Sequence, residues 1–213
     1  MLNLTSNPIF ERLPDAAQRE LHRTTTLRRI SPRRRMVNAL QSKNAVKEIA
    51  SLPDLEESLH IICRGNFPLW SIVPAVLKLS GGATLDALHV ATLGFSASNA
   101  TDLLTMLDAA QVKAVAIVCS VYFERQNPAE YRMMADGLAA RSQRIVALRS
   151  HAKVIAMALS DGRRFAVESS ANLRSCRNLE QITFTQSPDL YAFHAGWIDQ
   201  VITSAGKKKG AIQ

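Results

Sequence analysis

From residue 59 to residue 148 the chain alternates short apolar runs with stretches of helical spacing, separated by turn signals. Apolar runs of strand length, bounded by Gly, Pro, Asn or Ser and separated by helices, fit a layered α/β domain and little else. Residues 59–63, 87–93, 112–119 and 144–148 read as strands, and residues 69–79 as a helix kinked or restarted at Pro74 and closed by Gly81 and Gly82. Asn99, Ala100, Thr101 and Asp102 offer capping chemistry before the helix at Leu103, and a second helix is expected over residues 128–141. Beyond it the pattern changes. Strand-like runs at residues 151–159 and 164–170 flank Ser160-Asp161-Gly162, a hairpin turn, and a last strand over residues 179–185 precedes a helix with Ser187 before it and Pro188 at its first position. Crossovers followed by a hairpin predict a mixed sheet flanked by helices.

Positive charge gathers ahead of this unit. Arg12, Arg19, Arg23, Arg28, Arg29, Arg33, Arg34 and Arg35 face only Glu11, Asp15 and Glu20 before residue 36. Residues 24–35 keep neither strand nor helix period, so they are expected as an extended arm, followed by a helix over residues 36–50. The division is therefore residues 1–50 as basic arm and helix, 51–206 as the α/β domain, and 207–213 as a basic tail. A formal net charge of +8 favours a polyanionic partner, nucleic acid before membrane, because no basic amphipathic anchor carrying Trp or Phe is visible. Arg28, Arg29, Arg33, Arg34 and Arg35 are the candidate phosphate contacts, with a solvated basic face or a protein-docking segment as the competing explanations. A content of 47% hydrophobic and 21% charged residues excludes global disorder. No apolar run reaches spanning length and polar residues follow Met1, so a cytoplasmic protein without a membrane element is expected. Cys63, Cys119 and Cys176 are odd in number and far apart, which suits reduced, inert thiols.

The residues with chemical potential lie in the second half. His151 and Lys153 are two apart on an expected strand, so both project from one face. A neutral imidazole can attack phosphorus while an ammonium neutralises charge building on a phosphate oxygen. Where the returning hairpin strand ends, Ser170 and Asn172 offer a hydroxyl and an amide to phosphate oxygens, and Glu180 offers a carboxylate that can orient an imidazole. Turn capping by Ser and Asn, with Glu180 as a surface charge, explains the same residues without any reaction.

Taken together, His151-Ala152-Lys153, Ser169-Ser170-Ala171-Asn172 and Asn178-Leu179-Glu180 resemble the phospholipase D superfamily, whose pattern is His-x-Lys, four residues, Asp, then Gly-Ser-x-Asn and Asn-x-Glu. Leu93-Gly94-Phe95-Ser96 is similar to the aromatic-Ser turn of that family, and the resemblance spans residues 55–203. It implies a phospholipase D-like fold, with His151 as nucleophile, Lys153, Ser170 and Asn172 as phosphate ligands, and Glu180 orienting His151. It also implies no cofactor and no metal. Two positions depart from the pattern: Ser169 replaces Gly, and the motif Asp falls at Ala158, with Asp161 and Glu168 as the nearby carboxylates. The family's reaction uses two histidines and this chain carries one motif, which implies a homodimer with a shared site. The expected activity is a nuclease, a hydrolase acting on DNA and suited to a phage or mobile element. A catalytically inactive nucleic-acid-binding or assembly protein on the same fold is the alternative.

Overall fold

In the computed structural model, which describes residues 33–39, 45–64, 67–174 and 178–210, the apolar runs pair into one sheet of eight strands. These are β1 (Arg33–Ala39), β2 (Glu57–Arg64), β3 (Leu85–Thr92), β4 (Val115–Ser120), β5 (Arg144–Leu148), β6 (Val154–Leu159), β7 (Arg164–Ser169) and β8 (Leu179–Gln186), in the spatial order β1-β2-β8-β7-β6-β3-β4-β5. β3, β4 and β5 run parallel, joined by helical crossovers, while β6, β7 and β8 form the antiparallel half. The helices are α1 (Ala45–Ile49), α2 (Ile72–Leu79), α3 (Ala97–Asp108), α4 (Val121–Gln126), α5 (Pro128–Ala139) and α6 (Pro188–Gly210).

Each face of the sheet is covered differently. On one face Ile72, Val76, Leu103, Phe123 and Leu138 from the helices pack on Leu59, Ile61, Val90, Ile117, Ile155, Met157 and Phe184 from the strands. On the other, Ile198 and Ile202 of α6 lie on Ala91, Ala116, Val118 and Val154, small or β-branched residues over which one helix can sit closely. Burying each such isoleucine is worth about 1.5–3 kcal/mol. Cys63 and Cys119 are buried, and burial, assisted by the Glu124 carboxylate, pushes the Cys119 thiol up to about 12, which keeps it protonated and inert. Cys176 lies outside the described residues.

Several expectations need correcting. The helix expected over residues 36–50 is strand as far as Ala39 and helix only over Ala45–Ile49. β1 pairs in parallel with β2, Arg33 opposite Glu57 and Val37 opposite Ile61, so the sheet reaches back past the expected domain start at residue 51, and residues 32–213 form one compact unit. The cause is tertiary: Arg35 Nε meets the Glu57 carboxylate at 3.0 Å, and its guanidinium donates to Ile49 O at 3.4 Å and Ser51 O at 3.0 Å, so an apparent arm residue ties β1 to the end of α1. α3 starts earlier than expected, capped by Ser96, which accepts from Asn99 N while Asn99 Oδ1 accepts from Ser96 N. α4 went unanticipated, and α6 continues through Gly210, beyond the expected domain end at residue 206. His151 and Lys153 lie in the connection before β6 and not on the strand.

Candidate active site

Strand directions bring the singled-out residues to one end of the sheet. Thr92 and Leu148 end β3 and β5, while antiparallel β6 starts beside the end of β3, with Val154 opposite Ala91. Glu168 of β7 pairs with Val154, and Glu180 of β8 with Cys63 of β2, so the outgoing ends of β2, β3, β4, β5 and β7 and the incoming ends of β6 and β8 are level. An open crevice outside the carboxyl ends of parallel strands is where α/β sheets place ligands.

Lys153 is buried and donates to His151 O at 2.9 Å, with its Nζ also 3.1 Å from His151 Nδ1, while His151 itself is exposed. Side-chain contact thus replaces the strand geometry expected for this pair. Burial lowers the Lys153 pKa, and the Glu180 carboxylate works against that shift. Ser170 Oγ donates to Glu180 Oε2, and Ser170 also exchanges backbone bonds with β8, its N donating to Gln181 O at 3.0 Å and its Oγ accepting from Gln181 N at 3.0 Å. His151, Lys153, Ser170 and Glu180 therefore come together on the adjacent ends of β6, β7 and β8.

Asn172 is positioned by its neighbours. Ala171 and Leu173 are buried, Leu173 N donates to Thr92 Oγ1 at 3.4 Å, and Leu173 O accepts from Trp70 N at 3.3 Å, so the loop is pinned on both sides of the amide. Asn172 Oδ1 is shut away from solvent with no donor. The Leu93–Ser96 turn packs beside this loop. A Cβ on Gly94 would collide with the Phe123 ring, which favours glycine there; Phe95 is buried against Phe123, and Ser96 is committed to capping α3.

Both departures from the motif have structural explanations. Ser169 has no left-handed backbone, so glycine's freedom is not needed, and its hydroxyl donates to Gln181 O at 2.9 Å and accepts from Ala171 N at 2.8 Å. Ala158 is buried near the opposite end of β6, paired with Arg164; five strand residues past Lys153 is about 16 Å, too far for a side chain there to touch the reacting groups. Neither nearby carboxylate takes its place: Asp161 is held by Arg163 at 2.6 Å, and Glu168 accepts from His194 Nε2 at 3.2 Å beneath α6.

The other histidines sit elsewhere. His89 Nε2 is 3.2 Å from Asp199, His194 Nδ1 accepts from Trp197 Nε1 at 3.1 Å, and His60 is on β2, 3.4 Å from Thr183 Oγ1. His22, Arg28 and Arg29 lie outside the described residues. Arg33 and Arg35 are at the start of β1, the far end of the sheet from His151, paired with Asp54 at 3.6 Å and Glu57 at 3.0 Å, whereas Arg34 is exposed on that strand. Sequence reasoning missed Arg64, Tyr122, Arg149 and Arg174, all exposed at the His151 end. Arg64 and Arg149 end or directly follow apolar runs, and that position was the signal available for them.

No family model matches the chain, and no curated protein does. Among solved structures, a polyphosphate kinase from Porphyromonas gingivalis is similar over 70% of this chain and 26% of its own, with a TM-score of 0.51 and 13% identity. This chain thus spans about a quarter of that enzyme. Nuc, a phospholipase D family member from Salmonella typhimurium, matches over 68% of this chain and 93% of its own at a TM-score of 0.48 and 17% identity. Yeast tyrosyl-DNA phosphodiesterase 1, as a mutant, matches over 47% of this chain and 25% of its own at 0.32 and 17%. The likeness to the kinase shows the fold, and the expected class stands: a mixed α/β sheet flanked by helices.

Proposed function

We propose that this chain is a metal-independent phosphodiesterase of the phospholipase D type, a nuclease acting on DNA through a phosphohistidine, in a site shared by two copies of the chain. The observation that carries the reading is the convergence of the buried Lys153 on exposed His151, with the Ser170–Glu180 pair on the neighbouring strand ends. In the resting contact Lys153 donates to His151 Nδ1, which leaves the proton of a neutral imidazole on Nε2. A bound phosphate draws the Lys153 ammonium to its oxygen; Nδ1 then takes the proton, with Glu180 as the proposed carboxylate that orients the ring, and Nε2 presents its lone pair.

His151 Nε2 attacks phosphorus, the bond to the leaving oxygen breaks, and that oxygen takes a proton from the imidazolium of the second copy's His151. Water then attacks the phosphohistidine, gives its proton back to that second imidazole, and the P–N bond breaks to release a phosphate monoester. Lys153, Ser170 and Asn172 hold the phosphate oxygens as charge builds. Among the described residues His60, His89 and His194 are engaged by Thr183, Asp199 and Glu168 and none bonds His151 or Lys153, which supports sharing between copies. The remoteness of Ala158 supports activity over the inactive, binding-only alternative. Incubation of radiolabelled DNA with protein in excess EDTA tests the reading: cleavage is expected, and an absolute requirement for a divalent ion rejects the mechanism. Sedimentation should give a dimer; an active, strictly monomeric protein contradicts the shared site.

A further inference from the structure

The two ends of the sheet treat their arginines and lysines differently. At the far end Arg33 pairs with Asp54, Arg35 with Glu57, Lys113 with Asp86, Arg141 with Asp108, Arg144 with Asp199 and Arg163 with Asp161. At the His151 end Arg64, Arg149 and Arg174 are exposed, and among the described residues no carboxylate pairs with them. Their places matter as much as their charge. Arg64 ends β2, beyond Glu180, whereas Arg149 follows β5 and Arg174 follows Leu173, which is tied to the end of β3. β2 and β5 are six strand spacings apart, roughly 30 Å at about 4.8 Å each, with the start of β6, and hence Lys153, between them.

An aromatic ring lies in the same row. Tyr122 follows the end of β4 in the first turn of α4 and is 63% exposed. The β5–β6 connection carrying Arg149 and His151 passes over the end of β4, two strand spacings or about 10 Å from the start of β6. Unneutralised arginines on both sides of a phosphate site exceed what a small phosphodiester or a strand terminus can use. An exposed ring among them suits a base whose face is free, which a duplex conceals in its stack.

We infer that the carboxyl edge of the sheet is a track for single-stranded polynucleotide, which crosses the His151 site in both directions, with Arg64 on one side, Arg149 and Arg174 on the other, and a base stacked on Tyr122. The inference deepens the proposed function and rests on it for the cut at His151; the track itself is read from charge and exposure. It makes the cut internal to the strand.

Fluorescence anisotropy with His151→Ala protein, which holds the strand uncut, compares a labelled single-stranded oligonucleotide with the duplex of the same sequence. The single strand should bind more tightly. Tyr122→Ala in that background should weaken it roughly tenfold, while Tyr122→Phe preserves affinity and duplex binding is insensitive to the alanine change. Replacing Arg64, Arg149 and Arg174 with Ala should flatten the slope of log affinity against log salt by roughly 2, at about 0.7 per phosphate for single strands. Unmodified protein should also cut circular single-stranded DNA, which has no ends. Equal loss of duplex and single-strand binding on Tyr122→Ala, an unchanged salt slope, or cleavage only from ends overturns the track. Binding as expected with no phosphodiester cleaved upholds the track and defeats the hydrolytic reading alone.

Discussion

At the scale of single residues, Lys153 joins stability to function. A lysine whose pKa is lowered by burial binds its proton less readily in the folded than in the unfolded chain. Stability therefore rises with pH between the folded and unfolded lysine values, and Lys153→Met should leave the urea midpoint unchanged or raise it while abolishing turnover. A clear drop in midpoint would mark Lys153 as a structural residue instead. The same shift places the alkaline fall of turnover below the ordinary lysine value of about 10.4, because the ammonium is the form that neutralises phosphate; a pH–rate profile locates it. The tautomer claim has its own readout. Nitrogen NMR of His151 should show the proton on Nε2 in the free protein and on Nδ1 when vanadate is bound, and no change on binding contradicts the role given to Lys153. At Gly94, alanine would drive a Cβ into Phe123 and should cost about 1–3 kcal/mol, read from denaturant unfolding.

At the scale of elements, the central strands were legible because burial on both faces leaves uninterrupted apolar runs, such as 115–119 in β4, buried at every position, while 144–148 matches β5 residue for residue although that edge strand is only half-buried. β1 was not legible, since an edge strand that begins Arg33-Arg34-Arg35 has no apolar period and its pairing partner, Glu57, is distant in sequence. The same contact reassigns one predicted DNA ligand. Arg35→Ala should destabilise the fold by about 1–3 kcal/mol, as loss of a partly buried ion pair with backbone acceptors does, measured by unfolding midpoint. An unchanged midpoint together with lost DNA affinity would return Arg35 to the arm. The candidate site was legible as residue types, since His151, Lys153, Ser170, Asn172 and Glu180 gather at one edge, but its geometry was not. The Lys153–His151 contact is made by side chains from an irregular connection, and the row of Arg64, Arg149 and Arg174 exists only once strand order is known.

At the scale of the whole molecule, among the described residues the arginines and lysines paired with carboxylates lie toward the end holding Arg33, while Arg64, Arg149 and Arg174 at the end holding His151 have no carboxylate partner. Arg28, Arg29 and Arg34 stay as the arm's proposed phosphate contacts. Replacing all three with Ala should flatten the duplex salt dependence by roughly 3, at about 0.9 per contact, with little change in sequence preference; an unchanged slope leaves protein docking as their explanation. The proposed nucleophile is a side chain, His151. Incubating radiolabelled DNA in excess EDTA with the unmodified protein and with His151→Ala tests it most directly. Cleavage by the former and none by the latter is the predicted result, and equal cleavage by both, or none by either until a divalent ion is restored, would contradict it.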